Sequence, residues 1–426
     1  MKNKSAITLL FVSNIISGFA QGISMMAIPW YFIEIVNEPS LFAFAYAIIT
    51  FLTLFWGLYA GTIIDRYPRK TVFIITNIIC GTIIATVAAS GYYLGDVNHY
   101  LVLLVFGVTI FNYNIHYPNL YAFGQEITEQ RNYGKLNSYI EIQGQVTSMM
   151  AGAFAAILLS GSLNNEFVIA GISIPLPFNI EPWSIQKVFL MDAITYFIGV
   201  GIFFFIRYTP ISTKEIHKGT LFTRLKGGFA YLKQNRSIFY FGVFSYMLFA
   251  FTLVEVHVLL PGYVKRFLNE SVNVYASAEV YYSFGAILAG ILIFRIFQKY
   301  SAYLGVVFLM ITVSFAFLSM SFYENIWLFF LANLVLGICN AGVRILRTTY
   351  LFTHVPNNVI GRANSLFSSI NVLVRSLMIF FFSLPFFLEG NNIRWGYFIG
   401  AIFVVLSVFP LLLSYKKEKK IVNKTT

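Results

Sequence analysis

Charge and cysteine are both scarce in this chain. Only 11% of its 426 residues are charged, with 17 Asp and Glu in all, whereas roughly a quarter of the residues in a soluble domain are charged. So little charge cannot build an exterior that faces water. The two cysteines, Cys80 and Cys339, both lie inside apolar runs, which gives neither a disulfide framework nor a thiolate metal site.

Catalytic and cofactor motifs are also missing from the sequence. It contains no P-loop, no G-x-S-x-G, no H-E-x-x-H and no dinucleotide-binding fingerprint. We therefore expect a protein that is not an enzyme and that binds no cofactor or metal. The sequence also contains no ATPase module, so we expect an ion gradient to supply any energy that the protein uses.

The chain does have long apolar runs. Hydrophobic residues make up 58% of it and the mean hydropathy is +0.74, with runs that reach the roughly 20 residues needed to cross a bilayer. The sequence predicts an all-α polytopic membrane protein. Its twelve transmembrane helices are expected near residues 7–33, 41–64, 71–93, 100–123, 136–160, 187–207, 238–260, 278–296, 303–322, 326–350, 364–388 and 395–414.

The basic residues indicate the orientation of these spans. Of the 29 Lys and Arg, 23 fall on the side of the amino terminus, four on the opposite side and two within spans. This asymmetry predicts a multi-pass protein of the cell membrane with both termini in the cytoplasm. The net charge of +12 then reflects topology, so we expect no nucleic-acid partner, and we expect membrane lipids with anionic headgroups at the inner face.

Three short patterns recur at nearly one period. GKLNS at 134–138 returns as GRANS at 361–365, GTIIDRYPRK at 61–70 as GILIFRIFQK at 290–299, and PWYF at 29–32 as PGYV at 261–264. The repeat predicts two six-helix pseudo-repeats around a central cavity, and such folds place the ligand near the midplane and work by alternating access. The expected domains are bundles at 1–207 and 238–414, a cytoplasmic linker at 208–237 and a basic tail at 415–426.

The two repeated glycines also carry a local prediction. Gly134 and Gly361 are each expected to make a tight turn that enters a helix. The residues that follow, Asn137 or Ser138 and Asn364 or Ser365, are then candidates to cap that helix.

GTIIDRYPRK resembles the loop motif between the second and third spans of the major facilitator superfamily. The resemblance implies a gating loop made by Gly61, Asp65, Arg66, Arg69 and Lys70, in which the Asp65 carboxylate meets the amino end of the eleventh span when the protein faces outward. Pro68 stands where that family usually has Gly. For Arg69 and Lys70, simple anchoring to lipid headgroups is the alternative.

Three further segments look like the macrolide-efflux branch of multidrug proton antiporters in that superfamily: YPNLYAFGQEITEQRNYGKLNS, FLMDAITYFIGVGIFFFIRY and LLPGYVKRFL. The fifth span lacks the Gly-Pro pair typical of many such antiporters. The external segment 162–186 is long for the branch. We expect it to be an irregular loop, with a small hairpin lid formed by FVIAGISIPLPF as the alternative.

Ionisable residues inside the spans are the first functional candidates, because burying each one in lipid costs a few kcal/mol or more. Glu255, deep in the seventh span, is predicted to couple transport to protons and to pair with Arg375, either as a working pair or as a permanent structural one. Asp192 and Glu34 are further proton-coupling candidates. A structural role explains Asp192 equally well, and Glu34 lies close to the outer interface, where water alone could solvate it.

Polar residues also recur at helical spacing on four spans that line the cavity in the resembled family. The stripes are Ser13, Ser17, Gln21 and Ser24 on the first span, Asn112, His116 and Asn119 on the fourth, Ser245, Thr252 and Glu255 on the seventh, and Asn340, Arg344 and Arg347 on the tenth. From these and the deep Arg375, the substrate-cavity candidates are Gln21, Asn112, His116, Asn340, Arg344 and Arg375. For each hydroxyl, the alternative is a hydrogen bond to the backbone of its own helix. For His116, the alternative is an ordinary structural hydrogen bond within the helix bundle. Arg347 is expected to snorkel, with its charged end at the membrane surface.

These features favour a proton-coupled exporter of amphiphilic, macrolide-like small molecules, for which a monomer would suffice. Export of an anionic metabolite such as a siderophore or a lysolipid is the alternative that Arg344 or Arg375 would favour. A membrane receptor that transports nothing is a third possibility. The partners expected are a small-molecule substrate and a proton or another coupling ion.

Overall fold

The computed structural model describes residues 3–129, 132–162, 166–169, 172–175, 179–209, 221–297 and 301–425. Within them, twelve helical segments are long and apolar enough to cross a membrane. The chain forms two compact units, unit 1 with Met1–His217 and Ser271–Val280, and unit 2 with Lys218–Glu270 and Tyr281–Thr426.

Unit 1 holds the first six long helices. They are α1 (Lys4–Glu34), α2 (Pro39–Arg66), α3 (Arg69–Leu94), α4 (His99–Ile127), α5 (Tyr133–Ser160) and α6 (Ile185–Phe205). The start of a later helix, Val272–Phe297, also belongs to unit 1. There Ser160 donates to Asn273 Oδ1 at 2.6 Å, and Trp30 stacks on Tyr275 with 5.4 Å between ring centroids.

Unit 2 holds the remaining helices. They are α7 (Leu221–Gln234), α8 (Arg236–Ser245), α9 (Met247–Val254), α10 (Leu260–Gly262), α11 (Val272–Phe297), α12 (Ala302–Phe322), α13 (Ile326–His354), α14 (Asn357–Phe382), α15 (Pro385–Leu388) and α16 (Arg394–Thr425), with a 3-10 turn at Gly390–Ile393. The eleventh span was predicted at 364–388 and is instead α14. It starts seven residues earlier and ends at Phe382, because Pro385 begins a separate short helix.

The helix caps differ from the sequence prediction. Asn98, Ser301 and Asn325 each accept a hydrogen bond from a backbone N–H in the first turn of the helix that follows, as N-caps do. The predicted caps near Gly134 and Gly361 are wrong, because α5 already begins at Tyr133 and α14 at Asn357. Ser365 instead donates to the carbonyl of Gly361 one turn back.

The segment after α5 contains a small antiparallel hairpin rather than the irregular loop that we expected. Strand β1 (Glu166–Ile169) pairs with β2 (Ile172–Pro175), with Phe167 opposite Ile174. Each strand has two β-branched residues, and β1 also has an aromatic one, Phe167; such residues favour extended backbone. This short hairpin is the one departure from an all-α fold among the described residues.

The seventh span is interrupted several times along its length. A break at Tyr246 separates α8 from α9, and π-helical turns at Glu255–Leu259 and Tyr263–Phe267 flank α10. Pro261 in α10 has no backbone N–H to give to the preceding turn, which is one physical reason for irregular bonding there. The span runs to Phe267, seven residues beyond its predicted end. Interruptions of this kind are found frequently at functional sites.

Two glycines let α11 and α13 approach closely in unit 2. A Cβ on Gly337 would overlap the backbone carbonyl of Tyr282, and one on Gly285 would overlap the carbonyl of Leu334. Gly290, on the same helix α11, has nothing within 4 Å of its Cβ position. Small residues that allow such contacts are typical of helix pairs in membranes.

Candidate functional site

Glu255 is the first residue of a π-helical turn in unit 2 and is fully buried, with 0% of its surface exposed. Its Oε1 accepts a hydrogen bond of 2.9 Å from the phenol of Tyr397 on α16. The predicted pairing with Arg375 stays a prediction. One partner of this carboxylate is therefore a tyrosine that was not among the predicted site residues.

Aromatic side chains surround the hydrogen bond between Glu255 and Tyr397. The rings of Tyr397 and Tyr263 meet edge to face with 4.7 Å between centroids, and Phe317 lies 6.2 Å from Tyr397. Tyr263 in turn donates to the carbonyl of Met320 at 2.8 Å. The carboxylate of Glu255 therefore lies among aromatic rings, and the Tyr397 hydroxyl is one of its polar neighbours.

Side chains from two other helices hold the break at Tyr246. Arg347 on α13 donates to the carbonyl of Ser245 at 3.1 Å, and Asn371 on α14 donates to that of Tyr246, also at 3.1 Å. The Arg347 guanidinium also lies 3.5 Å from the centroid of the Tyr246 ring. The expectation that Arg347 snorkels is therefore wrong, because the side chain is only 4% exposed and binds within the bundle.

The other candidates of unit 2 lie on α13 and α14. Asn340 donates to the phenol of Tyr282 at 2.6 Å, and Arg344 is partly buried one turn further along α13. Arg375 lies one turn beyond Asn371 on α14, and its buried Nε has no hydrogen-bond partner within the described residues. An anionic group would complete that site.

In unit 1, His116 belongs to a chain of polar side chains across three helices. Its Nε2 lies 2.7 Å from Asn14 Oδ1, Asn14 Nδ2 donates to Gln143 Oε1 at 2.5 Å, and Gln143 Nε2 donates to Thr147 at 3.2 Å. The amino group of Asn14 donates to Gln143, so the Oδ1 atom of Asn14 is the acceptor in its hydrogen bond with His116. His116 is therefore the donor and carries a proton on Nε2. The buried Nδ1 of His116 has no partner in the described part of the chain.

The remaining candidates of unit 1 lie deeper or at its ends. Gln21 is buried and donates to the Ser17 hydroxyl one turn away at 2.9 Å, and Asn112 donates to the phenol of Tyr196 at 3.3 Å. Asp192 is wholly buried on α6. Glu34 is exposed at the carboxyl end of α1.

The predicted gating loop forms contacts at the junction of α2 and α3. Arg69 pairs with Glu126 at 2.6 Å, and Lys70 donates to the carbonyls of Phe204 and Ile206 at the carboxyl end of α6. These two residues therefore have partners within unit 1 and need no lipid headgroup to anchor them. The Asp65 side chain lies outside the described residues. Beyond the adjoining residues of its own helix, no atom of the described residues lies within 4 Å of the position that a Cβ would take on Gly61, and Arg66 lies over the Tyr67 ring.

Tyr208, just beyond α6, joins the ion pair of Arg69 and Glu126. Burial raises the pKa of Tyr208 to about 12, and the charge of Glu126 adds to the shift. The phenol is therefore protonated at neutral pH and can donate to the carboxylate. The carboxyl ends of α4 and α6 are joined to the start of α3 in this way.

The sequence analysis missed Tyr397, Asn371, Asn14 and Gln143. Asn14 is one residue after Ser13 and lies beside the predicted stripe of α1, and Asn371 lies one helical turn before the candidate Arg375, so helical spacing could have found both. Tyr397 is one of 27 tyrosines, and nothing in its neighbourhood marks it. Among the described residues, no group of three His, Cys, Asp or Glu is arranged to hold a metal ion.

Comparisons with known proteins agree with this architecture. The sequence model of the Major Facilitator Superfamily matches residues 10–379. Three solved structures are similar. The nucleoside transporter NupG has a TM-score of 0.69 and 14% sequence identity, and the match covers 96% of this chain and 99% of that one. The POT family transporter PepTSo has a TM-score of 0.68 and 14% identity, with 99% of each chain covered, and a bacterial homologue of the iron transporter ferroportin has a TM-score of 0.68 and 13% identity, with 97% of this chain and 99% of that one covered. The search of curated proteins finds no match.

Proposed function

The chain belongs to the Major Facilitator Superfamily, and from this premise we propose that it exports amphiphilic, macrolide-like small molecules by alternating access in exchange for protons. Its transporter fold implies a small-molecule substrate. The structural neighbours carry different kinds of cargo according to their names, so the proposal on substrate and coupling depends on residues of this chain.

The observation that carries the proposal is the burial of Glu255. A charged carboxylate at this depth in a membrane protein costs about 3 kcal/mol or more, and protonation removes most of that cost. A step that exposes Glu255 to water therefore favours release of its proton, and a step that buries it favours uptake. The phenol of Tyr397 can accompany both forms, because it donates to the carboxylate and accepts from the acid.

Glu255 also lies where the backbone is least regular. A π-helical turn holds an extra residue, so small changes in its bonding can move the carboxylate relative to the rest of the span. The break at Tyr246, with its carbonyls bound by Arg347 and Asn371, gives the same span a second point of bending. We propose that these interruptions let the seventh span change shape during transport and carry Glu255 with it.

Purified protein in liposomes that enclose a pH-sensitive dye tests the proposal. Erythromycin and tetraphenylphosphonium are added under an imposed proton gradient, to wild type, to Glu255→Gln and to the exposed control Glu38→Gln. We expect proton flux that depends on the added compound in wild type and Glu38→Gln, and none in Glu255→Gln. Wild-type protein that moves no protons with either compound contradicts the proposal.

Arg375 supports a second candidate, the export of an anionic metabolite. Its buried Nε is available to an acidic ligand, whereas a purely cationic substrate would be repelled by it. Transport by the variant Arg375→Met distinguishes these two candidate functions. For an anion exporter we expect flux to be lost in this variant, and for an exporter of cationic amphiphiles we expect flux to persist.

We also propose that the protein resides in the cell membrane with both termini in the cytoplasm, as its basic residues predict. The gating role of Asp65 at the amino end of α14 belongs to the same proposal. An Asp65→Asn variant is expected to slow transport without weakening substrate binding, since the loop controls access and not the binding site. Unchanged transport rates in that variant would refute the gating role.

A further inference from the structure

Unit 1 has a cleft between α2, α3 and α4 with a volume of about 510 Å³. Its walls are apolar, and include Trp56, Ile63, Ile75, Ile79, Ile83 and Phe111. Ile75 and Ile79 are 50% and 53% exposed in the middle of α3, where an exposed face of a spanning helix meets lipid. A molecule with a hydrophobic body can therefore enter this cleft from the bilayer.

Two residues of the lining, Cys80 and Asn112, are buried and carry polar atoms, and we call these two residues the floor of the cleft. The indole N–H of Trp56 is already used, because it donates to the carbonyl of Phe111 at 2.8 Å. The Oδ1 atom of Asn112 is buried and has no hydrogen-bond partner within the described residues. The floor thus offers an acceptor without a donor.

A buried acid, Asp192, lies close enough to Cys80 for the two groups to interact electrostatically. Asn112 Nδ2 donates to the phenol of Tyr196 at 3.3 Å, and Tyr196 follows Asp192 on α6 by one turn, about 6 Å along the axis. Gly81, beside Cys80, allows the close approach, since a Cβ there would lie 3.0 Å from the Cβ of Tyr196. Asp192 is 0% exposed.

Several buried oxygen atoms in this part of unit 1 have no hydrogen-bond donor within the described ranges. Both carboxyl oxygens of Asp192 and the Oδ1 atoms of Asn112 and Asn77 lack hydrogen-bond partners among the described residues. The hydroxyl of Ser24 lies near Asp192 but can supply only one proton. Buried acceptors without donors are costly, and a group with several N–H donors would satisfy them.

We propose that the cleft and the acceptors behind it form a binding site for a lipophilic ammonium ion. The alkyl body occupies the cleft, and the ammonium group donates to Asn112 Oδ1 and is attracted by the carboxylate of Asp192. Hydrogen bonds in which both partners carry charge are the stronger ones, and the rings of Trp56 and Phe111 offer aromatic faces to a cation. The site lies wholly within unit 1 and does not depend on the proposed proton exchange.

Photocrosslinking in phosphatidylcholine nanodiscs tests the site without any gradient. The probe is dodecylamine with a diazirine at mid-chain, and its crosslinks are mapped by mass spectrometry. We expect crosslinks on α3 and α4. We also expect dodecylamine to displace the probe at a concentration about tenfold below that of dodecanol, because the ammonium group has a positive charge and three N–H donors, whereas the alcohol is neutral and has a single O–H donor. Dodecyltrimethylammonium, a cation without N–H donors, is expected to compete less well than dodecylamine.

Two matched variants locate the charge that matters. Asp192→Asn is expected to weaken probe binding about tenfold or more, whereas Asp96→Asn, the same change in the connection between α3 and α4, is expected to leave it unchanged. Equal competition by dodecanol and dodecylamine would overturn the proposal and leave a groove for lipid chains. Equal crosslinking of wild type and a folded Asp192→Asn would do the same. If Asp192→Asn does not fold, the ranking of the three competitors on wild type decides alone.

Discussion

Replacing Tyr397 by Phe removes one hydroxyl and changes no volume in the core of unit 2. The change leaves Glu255 Oε1 without the 2.9 Å hydrogen bond that it now receives. A hydrogen bond to a charged group contributes about 1.5–3 kcal/mol, and one between neutral groups about 1 kcal/mol. Since 1.4 kcal/mol is tenfold in an equilibrium, the expected rise in the open population of unit 2 is about 5- to 100-fold.

Cysteine labelling measures this quantity directly. Cys339 on α13 is 1% exposed and Cys80 is 6% exposed, so in a Cys80→Ser background a maleimide reports only openings that expose Cys339. When opening and closing are fast, the labelling rate follows the open population. We expect Tyr397→Phe to label faster than Tyr263→Phe, which loses a bond to a backbone carbonyl, and Tyr93→Phe, at 90% exposed, to match the background.

A double-mutant cycle isolates the pair. In a Glu255→Met background, Tyr397→Phe should cost less than in wild type, because the oxygen that accepts the hydrogen bond is gone. Equal labelling rates for Tyr397→Phe and Tyr93→Phe would show that the hydroxyl makes no stabilising bond. An equal cost of Tyr397→Phe in both backgrounds would show that Glu255 is not its partner. Either result refutes the reasoning.

Three further predictions concern contacts between helices inside unit 2 or inside unit 1. Gly337→Ala should speed Cys339 labelling by about tenfold, since overpacking costs about 1–3 kcal/mol. Gly290→Ala is the control and should not change the rate, because no described residue beyond its own turn of helix lies within 4 Å of the added Cβ. Equal rates in the two variants would show that α11 and α13 are not in close contact at Gly337. Arg347→Lys keeps the charge but loses the planar stack on Tyr246, a desolvated contact of about 2 kcal/mol. It should therefore speed Cys339 labelling about 25-fold. Arg362→Lys, at an exposed position, is the control and should not change the labelling rate. Lys70→Met removes both hydrogen bonds to the carboxyl end of α6 and should speed hydrogen exchange in the last turn of α6. Lys187→Met, at an exposed position, is the control, and its exchange rate there is expected to match wild type. An unchanged exchange rate in Lys70→Met would contradict the capping role of Lys70.

Much of the fold could be predicted from the sequence because lipid imposes one strong rule. Each span must satisfy its own backbone, so a long apolar run in this chain is a helix. The failures occur where tertiary contacts replace that rule. Nothing at Tyr246 marks a break, since the groups that stabilise it, Arg347 and Asn371, come from α13 and α14.

The site residues show the same division. Depth in the membrane made Glu255 and Asp192 candidates, and the structure confirms that both are buried. Their neighbours could not be predicted, because Tyr397 comes 142 residues after Glu255 and only packing brings them together. Arg347 was predicted to snorkel because the sequence gives its distance from the helix end but not the direction in which its side chain points.

The measurement that tests the central claim most directly is uphill transport compared with exchange in proteoliposomes. Tritiated tetraphenylphosphonium has a permanent charge, so pH alone does not trap it, and valinomycin with equal potassium on both sides holds the membrane potential at zero. With an acidic interior, wild type should accumulate the compound, and Glu255→Gln should exchange it across the membrane without accumulating it. Uphill accumulation by Glu255→Gln would contradict proton coupling through this carboxylate.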